Sequence, residues 1–239
     1  MFETGKKNTV LMFAYLAIST VLLAGYLLMV ALPAQGYDPG LYERGYLYFI
    51  TFQLLLFSLC LPFWDTRQPP AATVLGYLGR LLWPAALITA LSVPLILIIL
   101  MAGSLNHLHF LWPLSLQVLW GMFILSARDL LAAAPLPKPW PDFCLALLIF
   151  TVLVLTLVFF YYYLEFGRLV VTTIYDRDIP AVFFLNPLLT TAGLLHAQTG
   201  GANQLGWLPV IYNLAFYIPA ILIAGLLTLR NRNKAQREV

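Results

Sequence analysis

Three groups of residues in this chain have types that could do chemistry. Asp176-Arg177-Asp178 sets two carboxylates around one base, with Glu165 and Arg168 shortly before it. Paired carboxylates divide acid and base work when their surroundings separate their pKa values. Here the intervening base makes a solvated loop the expectation, and Glu165 reads as an interfacial residue paired with Arg168. His107 and His109 stand two apart. An extended turn would put both on one face, where a metal could take two nitrogens. A third ligand is not evident, so a polar turn is expected, and His196 has no partner in the sequence. Cys60 and Cys144 lie within or beside apolar runs and define neither a disulfide framework nor a metal cluster. The sequence carries no G-x-x-x-x-G-K-[ST] loop, no H-E-x-x-H pair and no G-x-S-x-G turn. No catalytic residue, metal site or cofactor is assigned, and the chain is not expected to be an enzyme.

The elements that carry these residues follow from composition. Of 239 residues 62% are hydrophobic and 10% charged, and the mean hydropathy is +0.87. Soluble domains are about 45–50% apolar and about 25% charged. So few charges cannot cover a water-facing surface, which excludes a soluble enzyme, a nucleic-acid-binding domain and a disordered chain. An all-α polytopic membrane protein remains, with the lipid bilayer as its first partner and no nucleic acid. The net charge of +3 is spread over segment ends, apart from the tail run Arg230, Arg232, Lys234 and Arg237. That run reads as a membrane-flanking anchor.

A spanning helix needs about 20 apolar residues. Charge-free stretches place spans at 9–32, 46–64, 81–102, 110–127, 143–164 and 209–229, in one transmembrane domain over 1–239. The first is longer than a signal-peptide core, so it is expected to be a retained helix. If both ends lie on one side, that side holds Lys6, Lys7, Arg67, Arg80, Arg128, Lys138 and the four bases of the tail, against Arg44, Arg168 and Arg177 opposite. The bias predicts that both termini are cytoplasmic. Residues 179–208 are irregular, with Asn186-Pro187, Gly193, His196 and the polar run Gln198 to Gln204. Short apolar runs between such breakers predict a re-entrant segment or an interfacial helix.

Trp64, Trp83, Trp140, Trp207 and Tyr161-Tyr162-Tyr163 fall near span ends, where interfacial belts form. Pro84, Pro94, Pro113 and Pro219 fall inside spans and predict kinks. Every Asp, Glu, Lys and Arg is expected in a loop or at a span end. Ion-coupled transporters place ionisable groups at membrane depth. Their lack argues against a self-sufficient secondary transporter.

The organisation resembles the transmembrane subunit of type-2 ABC exporter permeases. The resemblance rests on six spans with cytoplasmic ends and on a second span that opens with Gly40-Leu41-Tyr42 and runs through Gln53 to Leu61-Pro62. It rests also on the loop Asp65-Thr66-Arg67-Gln68-Pro69-Pro70 to Arg80, and on Leu185-Asn186-Pro187-Leu188-Leu189 before the last helix. It implies a multi-pass protein of the cell inner membrane, paired with a second permease subunit, like or unlike. A separate ATP-binding subunit would dock on Asp65, Thr66, Arg67, Gln68 and Arg80, the coupling loop. Asn186, Pro187 and His196 would belong to the re-entrant segment above the substrate path. ATP would be hydrolysed by the partner.

Two other readings remain open. One is a non-catalytic structural or assembly subunit of a larger respiratory or photosynthetic membrane complex, which the lack of intramembrane charge would suit. The other is a membrane-embedded enzyme or lipid-handling protein drawing on Glu165, Asp176, Asp178 or His196.

Overall fold

A computed structural model describes residues 2–31, 39–65, 73–103, 112–170, 181–198 and 208–235. All regular elements among them are helical. Within a bilayer every backbone polar group must find a partner inside its own segment, and long apolar runs therefore close into helices. The elements are α1 (Phe2–Ala31), α2 (Pro39–Cys60) with a 3-10 turn at Leu61–Phe63, α3 (Val74–Ala102), α4 (Trp112–Ala132) and α5 (Trp140–Phe150). A π-helical turn (Thr151–Leu155) leads into α6 (Thr156–Val170). A 3-10 turn (Ala181–Leu185), α7 (Pro187–Gln198) and α8 (Leu208–Ala235) follow.

Six stretches are long and apolar enough to cross a membrane: Lys6–Val30, Leu41–Phe63, Val74–Ala102, Trp112–Ala132, Trp140–Tyr163 and Leu208–Arg230. The chain is a multi-pass, all-α membrane protein. Its outer surface carries Phe13, Val21, Leu59, Leu75 and Met101, each more than 60% exposed. In water such a surface would be a liability; in lipid it is the solvated face.

Tertiary contacts fix the direction of the spans. Asn8 holds the backbone of Asp65, joining the start of α1 to the end of α2. Arg80 near the start of α3 meets Asp129 near the end of α4. Gly225 late in α8 lies against Tyr77. The starts of α1 and α3 and the ends of α2, α4 and α8 therefore share one end of the bundle, called here the basic end.

Several boundaries differ from the sequence expectation. The third span starts at Val74 rather than 81, which places Arg80 inside α3. The fourth runs to Ala132 rather than 127 and takes in Arg128 and Asp129. The second helix starts at Pro39 and takes in Glu43 and Arg44. A scan for charge-free residues stops at the first charge, whereas a helix continues wherever the charge finds a partner or reaches the rim. Likewise α6 continues through Glu165 and Arg168 to Val170, where a loop is expected from sequence. Thr73 caps α3, its hydroxyl accepting from Gly76 N at 3.2 Å. Neither Pro84 nor Pro94 breaks that helix.

The centre of the bundle is α4. Trp120 is fully buried, stacks on Phe123 and donates through Nε1 to Ser58 Oγ at 2.8 Å. Tyr217 of α8 joins that aromatic group. A Cβ at Gly121 would stand 2.6 Å from Phe57 Cζ and 3.0 Å from Ala85 Cβ, so the missing side chain sets how closely α2 and α3 approach α4. Gly121→Val should cost about 1–3 kcal/mol of stability. The check is a lower midpoint of thermal unfolding in detergent micelles, with little change for Gly25→Val, where a Cβ meets nothing within 4 Å.

Candidate functional site

The coupling-loop residues divide on the structure. Thr66, Arg67 and Gln68 lie outside the described residues; Asp65 directly precedes them, whereas Arg80 lies two turns inside α3, which Thr73 caps. Asp65 N donates to Asn8 Oδ1 at 2.9 Å, and Asp65 O accepts from Asn8 Nδ2 at 3.0 Å. Arg80 pairs with Asp129, and its guanidinium lies 5.3 Å from the Tyr77 ring centroid. Arg128 reaches the same carboxylate at 3.6 Å and donates to the carbonyls of Trp64 at 2.6 Å and Pro62 at 3.3 Å. The three side chains are 12–18% exposed. One carboxylate thus holds two guanidiniums, and through them the end of α2, α3 and α4. Arg80 is a fixed member of this clamp rather than part of a loop. Trp64, read from sequence as an interfacial belt residue, is 8% exposed and belongs to the core. Trp83 and Trp140 are exposed, as a belt requires.

Within the span region, 181–198 forms an interrupted helix that the bundle buries. Phe183, Phe184, Asn186, Leu188, Thr190 and Thr191 are all under 9% exposed. Asn186 Oδ1 accepts from Leu188 N at 2.8 Å, a side-chain cap on the start of α7. Its Nδ2 donates to Leu153 O at 3.2 Å, a carbonyl of the π turn. A π turn disturbs the ordinary helix ladder, and the amide of Asn186 donates to one of its carbonyls. Pro187 at the first position of α7 gives up an N–H that a helix start leaves unpaired anyway. Asn213 of α8 closes the other side, with Nδ2 2.8 Å from Thr190 Oγ1 and beside Phe184 O. Tyr217 donates to Leu185 O. Leu185 and Asn186 therefore reach the middle of the neighbouring spans, and the described part of 179–208 lies among the helices rather than flat on the end of the bundle. His196 lies on α7 by its backbone.

A second polar group links α1, α2 and α4. The Tyr15 hydroxyl accepts from Gln53 Nε2 at 3.3 Å and from Gln117 Nε2 at 3.4 Å, and all three side chains are buried. Sequence reasoning aimed at charges passes over Tyr15, Gln117, Thr190 and Asn213. The signal that could have found them is an amide or hydroxyl inside an otherwise apolar span, where hydrogen bonds between helices are made.

His107, His109, Asp176, Arg177 and Asp178 lie outside the described residues, and of Glu165 and Arg168 only the helical backbone is described. Among the described residues no three His, Cys, Asp or Glu side chains gather in a way that would hold a metal. Neither a protein-family model, nor a curated protein, nor a solved structure matches this chain.

Proposed function

We propose that this chain is the membrane-spanning permease subunit of an ATP-driven exporter of the type-2 ABC kind, working with a second permease subunit in the cell inner membrane. The observation that supports it best is the interrupted helix at 181–198. Transporters use broken helices at membrane depth to line a substrate path, because unwound backbone there must be covered by protein or face a water-filled cavity. This one is covered on one side by Leu153 and on the other by Asn213 and Tyr217.

The basic end would face the cytoplasm. There the clamp of Arg80, Arg128 and Asp129 supplies a rigid base for the 66–72 loop. A push from a docked partner on 66–72 would pass through the clamp into α2, α3 and α4. The partner can move the permease between two states only if it contacts the loop differently in each. The substrate would cross beside the 181–198 segment, between this subunit and its neighbour.

The loop assignment has its own test. Arg67→Ala combined with Gln68→Ala should lower capture of the ATPase on the purified membrane chain by about tenfold, equal to about 1.4 kcal/mol of docking energy. The yield of folded membrane chain should not change. Undiminished capture would contradict a docking role for 66–72.

A further inference from the structure

Beside the clamp, α2 and α5 stand apart, both held by α4, and leave a groove of about 810 Å³ between them. Its volume is that of a small-ligand site, about 300–1,000 Å³. One wall is Phe63, Leu59 and Leu55, one helical turn apart along α2. The other is Ala146, Phe150 and Val154 along α5 and its π turn. Two charges, Lys7 and Asp142, line the groove at the basic end. Among the described residues neither has an ion-pair partner. The pairing of Asn8 with Asp65 sets the start of α1, and so Lys7, beside the end of α2.

The length of the groove limits its occupant. From Asp142 to Val154 is twelve residues, or about 18 Å at about 1.5 Å per residue. Half of a bilayer's hydrocarbon core is about 15 Å. The groove is therefore charged at the rim, apolar below it and one leaflet deep. An acyl chain matches the apolar part. A headgroup with one anion and one cation matches Lys7 and Asp142, the phosphate on the ammonium and the amine on the carboxylate. We propose that the groove binds a single zwitterionic phospholipid of the leaflet at the basic end, with a phosphoethanolamine headgroup between Lys7 and Asp142. The deep end of the groove includes Leu153, whose carbonyl is held by Asn186. Occupancy there bears on the interrupted helix. The proposal rests on the groove and not on the exporter reading.

The test is native mass spectrometry of the full chain in mild detergent, titrated with dioleoyl phosphatidylethanolamine and, separately, dioleoyl phosphatidylglycerol. The wild type should retain one ethanolamine lipid, with about tenfold preference over the glycerol lipid. Ala146→Trp fills the groove from an exposed position and should reduce retention of both lipids about tenfold. Leu59→Trp does the same from the opposite wall, should the first variant fold poorly. Lys7→Ala with Asp142→Ala should leave the groove intact and bring the preference to within about twofold. A wild type with no preference, or one favouring the anionic lipid, would overturn the proposal. So would tryptophan variants that keep wild-type retention. A change in subunit number on filling the groove, with lipid unchanged, would overturn it in favour of a second copy of the chain.

Discussion

Asp129→Ala should be the most damaging single substitution at the basic end. Its carboxylate is the shared partner of Arg80 and Arg128, and all three side chains are at most 18% exposed. Removing one member of a mostly buried pair leaves the other charges without compensation, so the expected loss is about 2–4 kcal/mol. Arg128 keeps its bonds to the Trp64 and Pro62 carbonyls, whereas Arg80 keeps only the Tyr77 ring, so α3 should loosen first. Hydrogen exchange at Val74–Leu81 should rise more than at Leu61–Trp64. Asp129→Asn retains the shape and one acceptor and should fall between. A loss below about 1 kcal/mol, the value for exposed surface pairs, would show that the clamp does not stabilise the basic end.

Asn186→Leu is expected to have a comparable cost and a sharper functional consequence. Leucine keeps the branched shape, with more bulk, but leaves Leu153 O without the Asn186 amide and Leu188 N without its cap. A lost cap costs about 1 kcal/mol, and the loss of a donor to a buried carbonyl about 1–3 kcal/mol. The expected sum is about 2–4 kcal/mol, read as a lower unfolding midpoint in micelles. Asn186→Asp should bring no rescue: it keeps the cap, but it sets an uncompensated carboxylate against Leu153 O in a fully buried site. On the exporter reading, Asn186→Leu stops export while the ATPase stays bound, because the 66–72 loop is untouched. Wild-type stability in Asn186→Leu would contradict the interlock between the interrupted helix and the π turn.

The two residues differ in how visible they are in the sequence. Asn186-Pro187 breaks an apolar stretch, and the combination of a capping amide and a proline marks a helix start. Its partner is hidden, since Thr151-Val152-Leu153-Val154-Leu155 reads as unbroken span and nothing in those residues announces a π turn. Asp129 looks like a loop residue because the charges around it end every charge-free window. Its pairing with Arg80, 49 positions away, exists only once α3 and α4 lie side by side. The six spans were legible because each must satisfy its own backbone and face lipid, a local requirement written in composition. The helices bounded by Val74 and Ala132 enclose Arg80 and Asp129, whose pairing is tertiary, and Trp64 is buried where Arg128 binds its carbonyl. The Tyr15, Gln53 and Gln117 contact is half visible: the amides stand out in apolar spans, but their convergence on one hydroxyl does not.

The central claim is that this chain is driven by a separate ATPase. The most direct measurement is purification of the tagged full chain from its native membrane in a gentle detergent, with mass spectrometry of everything that co-purifies. The account predicts a soluble protein with a phosphate-binding loop in stoichiometric amount, together with a second permease chain, like or unlike. Recovery of haem, flavin or pigment proteins without an ATPase would contradict it and leave a structural subunit of an electron-transfer complex as the better reading.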